Sequence, residues 1–83
     1  MEITLDKLPV GKMGLISKLN NNDNLKRRLL DLGFVKGVEI KTMYKSPFND
    51  PICYLIKGSL IAIRKKDGMN IIINIKDDLN GIN

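Results

Sequence analysis

General acid–base chemistry in this chain would have to come from nine carboxylates, because there is no histidine and only one cysteine, Cys53. Catalysis of that kind needs a titrating group held beside its substrate. The acids are scattered, and the adjacent pair Asp77-Asp78 falls near the C-terminus. Soft metal sites want cysteine and histidine at close spacing, and hard sites want convergent carboxylates. Neither pattern is present; Asn49-Asp50 and Asp77-Asp78 offer only weak oxygen ligands. The segment Gly11-Lys12-Met13-Gly14 has the letters of a phosphate cradle, but such a cradle opens a helix and this one leads into a strand. The expectation is therefore no enzyme, no cofactor and no intrinsic metal site. Cys53, between Ile52 and Tyr54, reads as a packed strand residue.

Charge and aromatic residues point elsewhere. The net charge is +5, which favours acidic partners. Its dense clusters are Lys26-Arg27-Arg28 and Arg64-Lys65-Lys66. The aromatic residues are Phe34, Tyr44, Phe48 and Tyr54. Phe34 and Tyr44 read as core-directed, so a base-stacking platform would rest on Phe48 and Tyr54. Phe48, between prolines, is either an exposed apolar anchor for a partner or a lid folded back on the core.

The elements that must position these residues are short. Thr4 to Leu8 forms one helical turn, ended by Pro9 and Gly11. Met13 to Leu19 is a first strand, weakened or bulged at Gly14. Asn22 or Asp23 caps a helix whose apolar stripe is Leu25, Leu29 and Leu32, with Lys26 and Arg27 on the solvent side. Gly33 stops it, since the next backbone position wants a left-handed conformation. Gly37 serves a second turn. Val38 to Lys45 alternates, with Val38, Ile40, Thr42 and Tyr44 on one face. Further strands are Ile52–Lys57, Leu60–Ile63 and Asn70–Ile75, with a hairpin turn at Gly58-Ser59 and a polar turn over Arg64–Gly68. The fold predicted is mainly β: a small, partly open barrel of about five strands with a short helical insertion. It spans residues 1–76, with 77–83 as a flexible tail. The lone cysteine and the absence of a signal-peptide pattern favour the cytosol. The longest apolar run, Ile71-Ile72-Ile73, is far short of the roughly 20 residues that cross a bilayer.

Taken in order, these features resemble the FeoA family, small cytosolic components of bacterial ferrous iron uptake, and the related SH3-like domain of some metal-dependent repressors. The likeness begins at Leu5 and Leu8 and passes through Gly11 and Gly14-Leu15-Ile16. It is densest from Arg28-Leu29 to Leu32-Gly33 and Gly37. It resumes at Asn49-Asp50-Pro51, Gly58 and Ala62-Ile63-Arg64, and closes at Ile71-Ile72-Ile73. Two departures stand out: Asn49 replaces a glycine that often precedes the Asp-Pro pair, and Gly68 stands near a usual alanine.

The resemblance implies an SH3-like barrel and an accessory protein that acts on FeoB, a membrane Fe(II) permease with a cytosolic GTP-binding domain. It carries over no catalytic or metal-binding residues. The expected role is docking on the cytosolic part of that permease and modulating its assembly or activity. The expected contact residues are Leu25, Lys26, Arg27 and Phe48, while Arg28, Leu29, Leu32, Gly33, Gly37, Asp50, Pro51, Gly58 and Arg64 form the structural motif. The protein would meet the inner face of the cytoplasmic membrane only through this partner, without inserting. Exposed edge strands in a small barrel invite self-pairing into a homo-oligomer, and basic residues on an edge partly discourage it. The rival is a small basic barrel that binds RNA or single-stranded nucleic acid, recognisable by steep salt dependence. A detached metalloregulator domain is disfavoured because no helix-turn-helix accompanies it.

Overall fold

A computed structural model describes residues 1–75; the expected tail at 77–83 lies outside them. In chain order the elements are β1 (Glu2–Thr4), a 3₁₀ turn (Leu5–Lys7), β2 (Met13–Leu19), α1 (Asp23–Asp31), β3 (Glu39–Lys45), β4 (Ile52–Ile56), β5 (Ser59–Ile63), α2 (Lys65–Gly68) and β6 (Ile71–Ile75). The strands form one antiparallel sheet in the order β1-β6-β2-β3-β4-β5. This is the mainly-β architecture with a helical insertion that the residues predict, with a sixth strand added. The extra strand, β1, pairs Glu2 with Asn74 and Thr4 with Ile72.

The sheet curls around a single core. Leu5 beside β1, Ile63 on β5 at the opposite edge, and Ile16, Ile40, Tyr54, Ile73 and Phe34 all belong to one buried cluster. The Tyr54 hydroxyl donates to the Leu5 carbonyl at 3.3 Å, tying β4 to the N-terminal turn across the interior. Thr42 is fully buried, and its hydroxyl donates to the Leu8 carbonyl at 2.9 Å, so no polar group there is left unsatisfied. Gly14 permits the close approach of β2 and β6: a Cβ there would stand 3.0 Å from Ile73 Cδ1 and 3.2 Å from the Asn74 carbonyl oxygen. The bulge in β2 lies further on, between Ile16 and Lys18.

The helix starts and stops on local chemistry. The Asn22 side chain accepts from the Leu25 N–H at 2.9 Å, satisfying one of the orphan donors of the first turn. At the other end the Phe34 N–H reaches the Leu29 carbonyl (2.9 Å) and the Gly33 N–H reaches Leu30 (3.0 Å). With Gly33 at φ +102°, this is a Schellman ending. Its usual hydrophobic contact is supplied here by Phe34 and Leu29, both in the core.

Four local expectations need correction. Leu32 is 49% exposed and does not extend the buried stripe of Leu25 and Leu29; the left-handed residue after it reverses the chain and brings Phe34 inward instead. Tyr44 is 55% exposed, because the β3–β4 register shifts between Thr42 and Tyr44 and a bulge breaks the alternation. The β4–β5 turn is Lys57-Gly58, not Gly58-Ser59: both residues have positive φ, and Ile56 pairs with Ser59, as in a type I′ hairpin. The polar stretch after Arg64 forms α2, whose first N–H, from Lys65, donates to Asp50 Oδ1 at 2.9 Å.

Candidate partner-binding surface

α1 presents Lys26, Arg27 and Arg28 to solvent, and none of them makes an ion pair among the described residues. Leu25, one turn from the cap, is half-buried and packs on the core. It therefore offers less to a partner than Leu30, Leu32 and Val35, which stand exposed where the helix ends. Sequence reasoning missed this apolar group by assigning Leu32 to the interior. On a helical wheel Leu32 shares the face of Leu25 and Leu29 and only Leu30 stands apart, so the period alone turns Leu32 inward.

Phe48 is 92% exposed at the tip of the β3–β4 loop; it does not fold back over the core. The loop is held on both sides of this residue. The Asn49 N–H donates to the Ser46 carbonyl at 2.7 Å, Asn49 adopts φ +65°, and the Asp50–Pro51 peptide is cis. Asp50 then anchors the loop to α2. α2 also meets the segment before α1, where Asn21 Nδ2 donates to the Asp67 carbonyl at 3.0 Å. α2 thus bonds both to the Phe48 loop and to the segment leading into α1. Gly68 is buried against Asp6 of the 3₁₀ turn, which fixes α2 in turn.

Several of the motif residues lie at joints between these pieces, while Leu32 is exposed. Leu29, Gly33 and Gly37 form the helix exit, with the Gly37 N–H donating to the Ile16 carbonyl at 2.8 Å. Gly58 forms the hairpin turn and Arg64 caps α2 through its backbone. Arg28 contributes its carbonyl to the last turn while its side chain is exposed.

The stacking platform loses half of its residues. Tyr54 is only 1% exposed and lies inside the barrel, where burial, with the Asp6 charge behind it, pushes its hydroxyl pKa well above the ordinary value. Tyr44 lies outside, opposite Cys53, whose hydrogen bond is the main cause of its own upward shift. Among the described residues no three His, Cys, Asp or Glu side chains come together as metal ligands.

A family model for the FeoA domain matches residues 3–75. The chain belongs to the FeoA family. It is 32% identical over 73 residues to a FeoA relative in Campylobacter jejuni named Fe(2+) transport protein A, covering 88% of this chain and 99% of that one. A second relative, from Porphyromonas gingivalis, is a fusion of Fe(2+) transport protein A with the Fe(2+) transporter FeoB. It is 27% identical over 71 residues, and the match covers 86% of this chain and 8% of the fusion. The crystal structure of Stenotrophomonas maltophilia FeoA in complex with zinc, described as a prokaryotic SH3 domain protein, superposes with a TM-score of 0.73. It shares 29% identity over 87% of this chain and 89% of its own. The curled sheet is thus the SH3-like barrel of FeoA proteins.

Proposed function

We propose that this FeoA protein is an accessory of bacterial Fe(II) uptake that carries out no chemistry of its own. It docks on the cytosolic part of a FeoB-type permease and modulates its assembly or activity. The observation that carries this reading is the Porphyromonas relative, in which the matching region and FeoB are parts of a single chain. A covalent link of that kind keeps two modules at high effective concentration, which is useful when they work in contact. The surface chemistry supports it. Phe48 is a nearly fully exposed aromatic on a braced loop, and exposed aromatics and arginines are favoured at binding hot spots. Lys26 and Arg27 add exposed charge on α1, and half-buried Leu25 precedes them. Among the described residues no helix is long and apolar enough to cross a membrane, so the protein would reach the cytoplasmic membrane through the permease.

Co-purification with the cognate permease tests the proposal. The wild-type protein should be retained on the full-length permease in at least one of its apo, GDP and GTP-analogue states. Phe48→Ser and the pair Lys26→Glu, Arg27→Glu should each reduce retention. No retention in any nucleotide state overturns it.

A further inference from the structure

β5 is an edge of the sheet, with β4 on one side and no strand on the other among the described residues. Its open hydrogen-bonding groups follow from the turn. A two-residue hairpin makes its flanking residues, Ile56 and Ser59, a hydrogen-bonded pair. Alternation along an antiparallel ladder then directs Ser59, Ile61 and Ile63 toward β4. The N–H and C=O groups of Leu60 and Ala62 face away from it, and no other element of the described residues bonds to them. Edge strands are commonly blunted by lysine, proline or a bulge. Ser59–Ile63 contains none of these, and its register with β4 is unbroken.

The outer face beside this edge mixes apolar residues with charged ones. Leu60 is 58% exposed. It continues a cross-strand row through Leu55 and Lys41 to Met13, and Ala62 continues another through Cys53 to Tyr44. A depression of about 250 Å³ beside the first row is lined by Met13, Glu39, Lys41, Leu55 and Lys57, among others, with two cations to one acid. A strand added at β5 would lay alternate side chains next to Leu60 and Ala62, in line with these rows.

Charge selects the occupant. Lys57 precedes β5 and Arg64-Lys65-Lys66 follows it; all four are exposed and make no ion pair among the described residues. A second copy pairing antiparallel through the same edge would set each Lys57–Gly58 turn against the other's Arg64–Lys65, and like charges opposite one another destabilise a ladder. An extended segment with carboxylates at both ends meets the cations favourably. We propose that the β5 edge is a strand-addition site for a partner-protein segment of alternating apolar residues flanked by Asp or Glu. This surface is separate from α1 and Phe48 and stands whether or not the partner is a permease.

The test uses a synthetic probe, the peptide Glu-Glu-Thr-Val-Thr-Val-Thr-Glu-Glu, its counterpart with Lys in place of Glu, and ¹⁵N-labelled full-length protein. The acidic peptide should shift resonances saturably on β5 and slow exchange of the Leu60 and Ala62 amides. Lys57→Glu with Arg64→Glu should weaken it about tenfold. Ala62→Pro, which removes an outward N–H and leaves the β4 ladder intact, should lose binding. Peptides N-methylated on alternate residues, in the two possible registers, test the same bonds on unaltered protein: one register should fail to bind. The proposal is overturned by no binding, by equal binding of the lysine peptide, by indifference to N-methylation, or by a peptide-free dimer that protects Leu60 and Ala62.

Discussion

Gly33→Ala probes the joint that sets α1 on the barrel. Gly33 has φ +102°, beyond the left-handed well of roughly +50 to +70° that side chains tolerate. Holding alanine there costs about 1–3 kcal/mol. The new Cβ would also stand 3.1 Å from Cδ of Lys57, which must leave its rotamer at a further cost of about 0.5–1.5 kcal/mol. The expected loss is therefore about 2–3 kcal/mol. For a domain of this size that lowers Tm by roughly 10–20 °C. Two companions separate the contributions. Gly37→Ala carries backbone strain at φ +90° with nothing within 4 Å of its Cβ, so it should cost less than Gly33→Ala. Lys57→Asn removes the stem and places a residue suited to its φ of +49° in the type I′ turn. In the Gly33→Ala background it should recover the side-chain part of the loss. Urea midpoints at constant m-value give the four free energies of the cycle. A Gly33→Ala cost below about 0.5 kcal/mol would refute the left-handed helix ending. A cycle with no coupling would refute the Lys57 contact.

Three further outcomes are expected. Tyr54 holds its proton above the ordinary pKa of 10.0 through burial, with Asp6 adding to it. In the folded state it stays protonated where the unfolded chain has lost its proton, so its stabilising contribution is full below pH 10 and declines above it, by about 1.4 kcal/mol per pH unit. Tyr54→Phe should flatten this alkaline limb in pH-dependent urea unfolding, while losing about 0.5–1.5 kcal/mol at neutral pH for the bond to Leu5. Gly68→Ala should stabilise by about 0.5–1 kcal/mol in thermal unfolding, because the new methyl meets Asp6 at ordinary contact distances of 3.4 Å and beyond. Phe48→Ser should leave the unfolding free energy within about 0.5 kcal/mol, since the ring is 92% exposed, yet weaken permease association about tenfold or more in a pull-down titration.

What the sequence discloses is what the chain decides locally. Asn22 caps within its own turn, Gly33 stops the helix it follows, and the alternation from Val38 to Thr42 reads directly as a strand face. What it hides depends on distant partners. β1 is too short to declare itself and exists because β6 pairs with it. α2 is capped by Asp50, fifteen residues away. The bulge that turns Tyr44 outward is a matter of register with β4, as is the inward placement of Tyr54. The surface follows the same division. Exposed cations at 26 and 27 can be read from a helical period, whereas the open edge at Leu60 and Ala62 follows from strand order alone.

That strand order also governs when the molecule can exist during its synthesis. β6 lies between β1 and β2, so two segments made at the start wait for one made near the end. Until Ile71–Ile75 leaves the ribosome, Glu2–Thr4 has no partner and one flank of Met13–Leu19 is bare. The β3–β4–β5 meander can pair as it emerges, but Leu5, Ile16 and Leu19 cannot be sealed until Ile71 and Ile73 arrive. Contacts of such long sequence separation are slow to form, and unpaired strands exposed meanwhile invite aggregation. Arrested chains whose C-terminal linker is too short to bring Ile75 out of the ribosome should therefore be digested throughout by protease, and those with a linker long enough to expose it should resist.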